Sequence, residues 1–441
     1  MPLQPPIAEI APVRSVWVFV LILCGSLTSC TPFVHYSEKA LDPAARAKVL
    51  TDRRLEARPW ALTELIADAT AHHPDIAVAR ARYDAAVAAI RTAGERPNPT
   101  VSLSPQIITP YTALIAGTYG VDFDWTFETA GKRNRRLDLA QVRTRTAAAE
   151  VVTAIWTVRG GVRRALLDLY AAEERTALLT SAISKQGALL KALDERVAAG
   201  AESRQISSQA RLLQAQLRIQ AAETGRLASD ARAALAESMA ISVAGLSGLT
   251  FTYNAFRETP STLPDRQCAL TRRADILAAL ADYAAAEATL RLEVAGQYPD
   301  LHLNPGYSLD AGENKWTLGI GLTLPILNHN EGAIGEAEAK RQETAAVFDS
   351  VQSRVLADYE RSTLAYRAAR VTAGSTETLL AEQIAQMDSE KRLLDAGAGD
   401  RTTLLSLEVE RATTLTARLD AQIEVQSALG AIEEATQTPA L

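Results

Sequence analysis

Between Leu301 and Leu324, apolar and polar side chains alternate almost one for one. Leu301, Leu303, Pro305, Tyr307 and Leu309 interleave with His302, Asn304, Gly306 and Ser308. After the turn-prone residues 310–314, Trp316, Leu318, Ile320, Leu322 and Leu324 interleave with Thr317, Gly319, Gly321 and Thr323. Two is the side-chain period of an extended strand, so the pattern predicts a β-hairpin with one apolar and one polar face. Pro325 has no N–H to give to a ladder and is expected to end it. The same device occurs earlier. Val101, Leu103, Pro105 and Ile107 alternate with Ser102, Ser104 and Gln106, and after a longer loop Tyr119, Val121, Phe123, Trp125 and Phe127 alternate with Gly120, Asp122, Asp124 and Thr126.

A shift of 200 residues superposes Asp75 on Asp275, Ile76 on Ile276, Tyr83 on Tyr283 and Arg91 on Arg291. It also superposes Pro99 on Pro299, Leu103 on Leu303 and Pro105 on Pro305. One ungapped register carries these matches, so the chain reads as a tandem duplication of helix, hairpin and long helices. Residues 60–93 read as one helix ended by Gly94, and 131–198 as nearly unbroken helix. At about 1.5 Å per residue the latter is on the order of 100 Å long. Gly160-Gly161 within it marks a bend or a close helix contact. Leu179, Ile183, Leu190, Leu193 and Val197 form a heptad seam, answered after a tip at 198–203 by Ile206, Ala210, Leu213 and Leu217. The second repeat follows the same plan: helix 263–295, hairpin, helix 331–396, tip 395–400 and a returning helix. Its seam is Leu380, Ile384, Met387 and Leu394. The organisation is a lead at 30–59, a first repeat at 60–245, a connector at 246–263, a second repeat at 264–436 and a tail at 437–441.

The N-terminus changes the picture. Residues 16–24 are a short apolar core preceded by Arg14, followed by Leu27-Thr28-Ser29-Cys30. A core of that length fits a cleaved signal peptide over 1–29 better than a membrane span. Leu-Thr-Ser-Cys resembles the bacterial lipobox, which would make Cys30 the acylated first residue of the mature chain. Only Cys30 and Cys268 then remain, so no disulfide is expected. Alanine, Leu, Glu and Arg dominate while aromatics make up 5%, a balance that suits long helices packed through small side chains. The net charge of −6 gives no sign of a nucleic-acid partner.

All four strands share the alternation, with Tyr119, Trp125, Phe127, Tyr307 and Trp316 on the apolar side. The alternative is a half-buried sheet lying on helices. Aromatic rings on the apolar face suit a lipid-facing band instead. Four strands cannot close a barrel, and open edges are excluded from lipid; three chains supply twelve strands, which close. Asp122, Asp124 and His302 on the polar face would then line a lumen. At the tips, Gly200 and Gly397 sit where a helix-terminating glycine belongs, and Ser203 and Asp400 where N-caps belong. Glu202, Asp395 and Asp400, repeated threefold, would make an acidic ring favouring cations. No catalytic constellation emerges: His72-His73, His302 and His329 have no metal-ligand or triad spacing, and no cofactor motif is present.

Several motifs carry a family resemblance. Gly-Glu-Asn-Lys-Trp-Thr-Leu-Gly (312–319), Leu-Pro-Ile-Leu-Asn (324–328), Asn-Glu-Gly (330–332), Glu-Ala-Glu-Ala (336–339) and Phe127-Glu-Thr-Ala-Gly-Lys-Arg133 stand beside the lipobox and duplicated hairpins. Together they resemble the TolC family of outer-membrane efflux proteins from about residue 60 to 434. They are most similar to its cobalt-zinc-cadmium branch. The resemblance implies a mainly α fold with a small β part, built as a homotrimer. A twelve-stranded barrel in the outer membrane would continue into a periplasmic α-barrel. It implies a periplasmic adaptor at the tips, an inner-membrane RND pump, and a passive duct, not an enzyme. The cargo implied is divalent heavy-metal cations; drugs or other small molecules are the alternative. A periplasmic coiled-coil adaptor lipoprotein is the rival from another class, but it would have one helical hairpin where this chain has two.

Overall fold

The computed structural model describes residues 36–107, 117–260, 262–310 and 312–439. The expected signal peptide, Cys30 and the loop at 108–116 lie outside the described residues. The chain divides after Val49 into two units. In the first, the described residues are exposed and lead into helix α1 (Pro43–Asp52), which buries no side chain.

The second unit begins with strand β1 (Pro59–Ala61), paired in parallel with β4 (Thr250–Thr252). This bridge joins the head of the first repeat to the connector. At three residues a strand is too short to show a period, and the sequence pattern missed both. Helices α2 (Leu62–His72) and α3 (Pro74–Ala93) follow, then strands β2 (Thr100–Ile107) and β3 (Gly117–Phe127), then helices α4 (Lys132–Ala198) and α5 (Arg204–Ser238). The second repeat runs α6 (Arg266–Arg272), α7 (Ala274–Gly296), β5 (Leu301–Asp310), β6 (Glu313–Leu322), α8 (Glu331–Asp395) and α9 (Arg401–Thr436).

The single helix expected over 60–93 is two. His73 has extended backbone (φ −67°, ψ 130°) because Pro74 carries no N–H and disfavours helical geometry in the residue before it. The helix expected over 263–295 breaks at the equivalent Arg273 (φ −65°, ψ 136°), without a proline. There, tertiary bonds replace it. The Arg273 guanidinium holds Asp275 (2.9 Å) and donates to the Ala435 carbonyl (3.1 Å), while Gln437 Oε1 accepts from Ala274 N–H (2.6 Å).

Helix α4 runs alongside α2, α3, α5, α7 and α9, whereas α8 packs on α7, α9 and the short α6. The core sits around the β1–β4 bridge, where Leu65, Val162, Leu166, Leu169, Leu235 and Phe256 are fully buried. Gly160 proves to be a contact between helices: a Cβ there would collide with the Glu434 carboxylate of α9. Beside it, Arg163 is buried and donates to the Gln426 carbonyl (2.8 Å), with Glu433 3.5 Å away. Towards the tips, α5 buries Ala210, Leu217, Thr224 and Ala231 at a stride of seven, the repeat of a coiled-coil seam. Ile206 and Leu213, expected on that seam, remain partly exposed, as does Ile384 of α8.

Candidate functional site

Two regions stand out as candidate functional surfaces: the four-stranded sheet and the tips of the long helices. The sheet has the order β2-β3-β5-β6, antiparallel throughout. Gly312, at φ +92°, closes a tighter turn than the pattern suggested, so β6 starts at Glu313; the ladder ends at Leu322, before Pro325. The register sets Val121 opposite Tyr307, Tyr307 opposite Trp316, and Trp125 opposite Leu303. The predicted apolar positions within the ladder therefore share one face, while Leu324, also expected on it, lies beyond the end of β6. Among the described residues no helix covers that face: Trp125 is 53% and Trp316 79% exposed. The rings pack on one another, Trp125 on Phe127 at 5.6 Å and Tyr307 on Trp316 at 4.9 Å. Among the described residues β2 and β6 have unpaired outer edges.

The opposite face gathers the polar partners. His302 Nδ1 lies 3.1 Å from Asp124 Oδ1 and 3.3 Å from Thr126 Oγ1, and Ser104 Oγ donates to Asp122 Oδ2 at 3.4 Å. The Asp122 carboxylate lies over Gly306, where any side chain would collide with it. The sheet thus brings Asp122, Asp124 and His302 to one surface. Among the described residues no group of three His, Cys, Asp or Glu is placed to hold a metal ion.

At the tips, Gly200 (φ +73°) and Gly397 (φ +75°) take the left-handed conformation that ends α4 and α8. Asp400 caps α9: its carboxylate accepts from Thr402 N–H (3.1 Å) and from the Thr402 hydroxyl (2.7 Å). Ser203, its counterpart before α5, makes no side-chain cap bond. Arg196, in the last turn of α4, donates to Asp400 Oδ2 (2.8 Å) and lies 3.4 Å from Glu202 Oε1. One guanidinium therefore joins two of the predicted acidic residues, one from each repeat. Hydrogen bonds from Thr402 and then Arg196 hold the Asp400 carboxyl below its ordinary range. Asp395 is exposed and has no ion-pair partner among the described residues. Sequence reasoning missed Arg196, although a basic residue in a last helical turn is favoured by the helix dipole. Near the tip, a groove of about 470 Å³ between α4, α5 and α9 is lined by Leu193, Ile206, Leu213, Thr402 and Val409.

The links between sheet and helices differ. After β3, Thr129 N–H donates to Asp300 Oδ1 (2.9 Å), its hydroxyl to the Pro299 carbonyl (2.7 Å), and Lys132 meets Asp300 at 2.8 Å. After β6, Asn330, at φ +62°, donates to the Glu293 carbonyl and carboxylate, both at 2.9 Å.

The sequence matches the family described as outer membrane efflux protein over residues 65–240 and 266–436, one block per repeat. It is 27% identical over 307 residues to the cobalt-zinc-cadmium resistance protein CzcC of Cupriavidus metallidurans, covering 66% of this chain and 70% of that one. It is also 27% identical over 339 residues to the pyoverdine export outer membrane protein OpmQ of Pseudomonas aeruginosa, covering 72% and 67%. Among solved structures, the outer membrane protein VceC of Vibrio cholerae superposes with a TM-score of 0.68 at 22% identity, over 86% of this chain and 97% of that one.

Proposed function

Because the chain belongs to the family of outer membrane efflux proteins, we propose that three copies form the exit duct of a tripartite RND-type pump that discharges divalent heavy-metal cations. Efflux across the outer membrane and passive conduction without catalysis follow from the family. The trimer, the cargo and the lipid anchor at Cys30 belong to the proposal.

One observation carries the trimer: an exposed apolar face on a sheet with two open edges. In hydrocarbon each unpaired backbone group costs several kcal/mol, so open edges do not persist there. Pairing β6 of one copy with β2 of the next, three times over, removes every edge. The rings of Trp125, Phe127, Tyr307 and Trp316 then face lipid, and Asp122, Asp124 and His302 face the lumen. The Asp395, Glu202 and Asp400 carboxylates, repeated around the tip, would favour cations, with Arg196 tempering the last two. The groove beside Leu213 offers an apolar seat for the periplasmic adaptor. In detergent, the purified protein should run as a heat-sensitive trimer and give a cation-preferring single-channel current. A monomer without current would sink the reading.

The likeness to CzcC supports the cargo. Deleting the gene should raise sensitivity to zinc, cobalt and cadmium, and the intact gene should restore tolerance. The likeness to OpmQ, at the same identity, favours a second reading in which the cargo is an organic small molecule such as pyoverdine. Unchanged metal tolerance with loss of a secreted organic small molecule would select it.

A further inference from the structure

We propose that the link between β6 and α8, residues 323–330, is seated among lipid acyl chains, where Leu324, Ile326 and Leu327 lengthen the lipid-facing belt beyond the strands. The inference rests on the proposed orientation of the sheet's apolar face toward lipid.

The two repeats solve the same junction differently. Between β3 and α4 the link is residues 128–131, and its polar groups are occupied. Glu128 is paired with Arg136, and Thr129 is bonded to Asp300 and Pro299. Between β6 and α8 the link is 323–330, twice as long. It carries three large apolar side chains in the open: Leu324 is 64%, Ile326 72% and Leu327 98% exposed. A soluble surface loop has no use for such a run, and contiguous exposed apolar surface marks an interaction site.

Continuity says what covers it. Trp316, Leu318, Ile320 and Leu322 occupy successive positions of one alternating face of β6, and Leu324 follows two residues past the end of the ladder, so the link continues directly from the band already assigned to lipid. It ends at Asn328, His329, Asn330 and Glu331, an abrupt return to polar residues. Depth points the same way. On β3 the apolar face runs from Tyr119 to Phe127, about 26 Å at roughly 3.3 Å per residue. A strand tilt of roughly 40° reduces that to about 20 Å, short of the band of about 25 Å that such barrels present. On β6 the apolar face starts one register step later, at Trp316, and is shorter still. The link makes up the difference on the helical side.

A second copy of the chain is the competing occupant, and the junction inside this chain argues against it. Strand β5 is hydrogen-bonded to β3, yet Trp125 and Phe127 on β3 stay exposed. A neighbouring strand satisfies an edge without covering a face.

The test is a nitroxide on Leu327→Cys in a Cys268→Ser background, in which an acylated Cys30 has no free thiol, reconstituted in phosphatidylcholine vesicles. Ile320→Cys serves as the reference within the band and Glu331→Cys as the aqueous reference. The expected result is a label at 327 that collides with dissolved oxygen several-fold more than with a nickel chelate, as at 320. Free access of the chelate to 327, as at 331, overturns the inference. So does a motionally frozen label reached by neither reagent, which would mean that a second copy covers the link. Chelate access at 320 itself would overturn the lipid-facing orientation instead.

Discussion

Helices α4 and α8 hold the same place in the two repeats and are nearly equal in length, at 67 and 65 residues. Helix α4 buries 19 residues in the chain's own fold and α8 only seven, so α8 is left largely for contacts outside the chain. Composition does not separate them, since both are long, Ala-rich and mixed in charge. Topology does. Helix α4 is flanked by α2, α3, α5, α7 and α9, whereas α8 has α7 and α9 beside it and touches the short α6. Val347, Leu364 and Val371 are therefore apolar side chains without cover in the single chain. In the proposed trimer they face the neighbouring copy. Duplication copied the helix, and position in the layer decided which copy became core.

The sharpest way to break this comparison is at Arg163, on the buried side of α4. Arg163→Ala removes the buried donor to the Gln426 carbonyl and one of the two guanidinium groups beside Glu433, Arg159 remaining at 3.6 Å. Removing one member of a buried ion pair costs about 3–5 kcal/mol, and the retained Arg159 contact sets the expected loss toward the lower end. Chemical denaturation of the detergent-solubilised protein measures it. A change below about 1 kcal/mol would show that water reaches the pair and that α4 is not the closed core described here. Leu166→Ala, at a fully buried position, should cost about 2–5 kcal/mol. Val371→Ala on α8 should leave the single chain's stability within about 0.5 kcal/mol. Val371→Asp should nonetheless weaken the trimer, read as a lower dissociation temperature on semi-native gels. If neither α8 variant affects assembly, the uncovered face of α8 is not the interface.

The sheet offers a smaller contrast of the same kind, between two faces. Ile320→Lys puts a charge on the apolar face and should cost about 2–4 kcal/mol if that face meets the middle of the bilayer. Thr317→Lys, three residues away on the polar face, should fold normally and lower cation current by adding positive charge to the lumen. Equal costs for the two would remove the distinction between the faces.

How much of this was legible in the sequence depends on what each feature needs. Strands β2, β3, β5 and β6 and the long helices declare themselves through spacing within one segment, and register then follows from the shared apolar face. Features that depend on a distant partner do not. The break at Arg273 is supplied by Gln437, more than 160 residues away, and carries no local mark such as Pro74. Strands β1 and β4 exist only as each other's partner. Ile384 is spaced like a seam residue but is 41% exposed, while Leu380 and Gln383 beside it on α8 are the residues that are buried. At the tips, the cap at Asp400 was readable from its place before α9, whereas the Arg196 contact that crosses between repeats was not.

That contact sets up the finest comparison, between two caps at equivalent positions. Ser203 makes no side-chain bond to α5, so Ser203→Ala should change stability by less than about 0.5 kcal/mol. Asp400 bonds to Thr402 and is held by Arg196, so Asp400→Ala should cost about 1 kcal/mol. Asp400→Asn separates geometry from charge, because Asn is as good an N-cap as Asp. It should retain most of the stability, the exposed ion pair with Arg196 contributing about 0–1 kcal/mol. Its expected effect is on the current, as a loss of cation preference in planar bilayers. The pH dependence supplies the sign. The Asp400 carboxyl is held below its ordinary value of 3.8, so its stabilising contacts are complete above that value and fade only as the pH falls further. Between pH 7 and pH 5 the wild-type tip should therefore behave uniformly at this group, and the wild-type and Asn forms should converge only in stronger acid. Equal cation preference in the two at pH 7 would reduce Asp400 to a cap, as unimportant to conduction as Ser203.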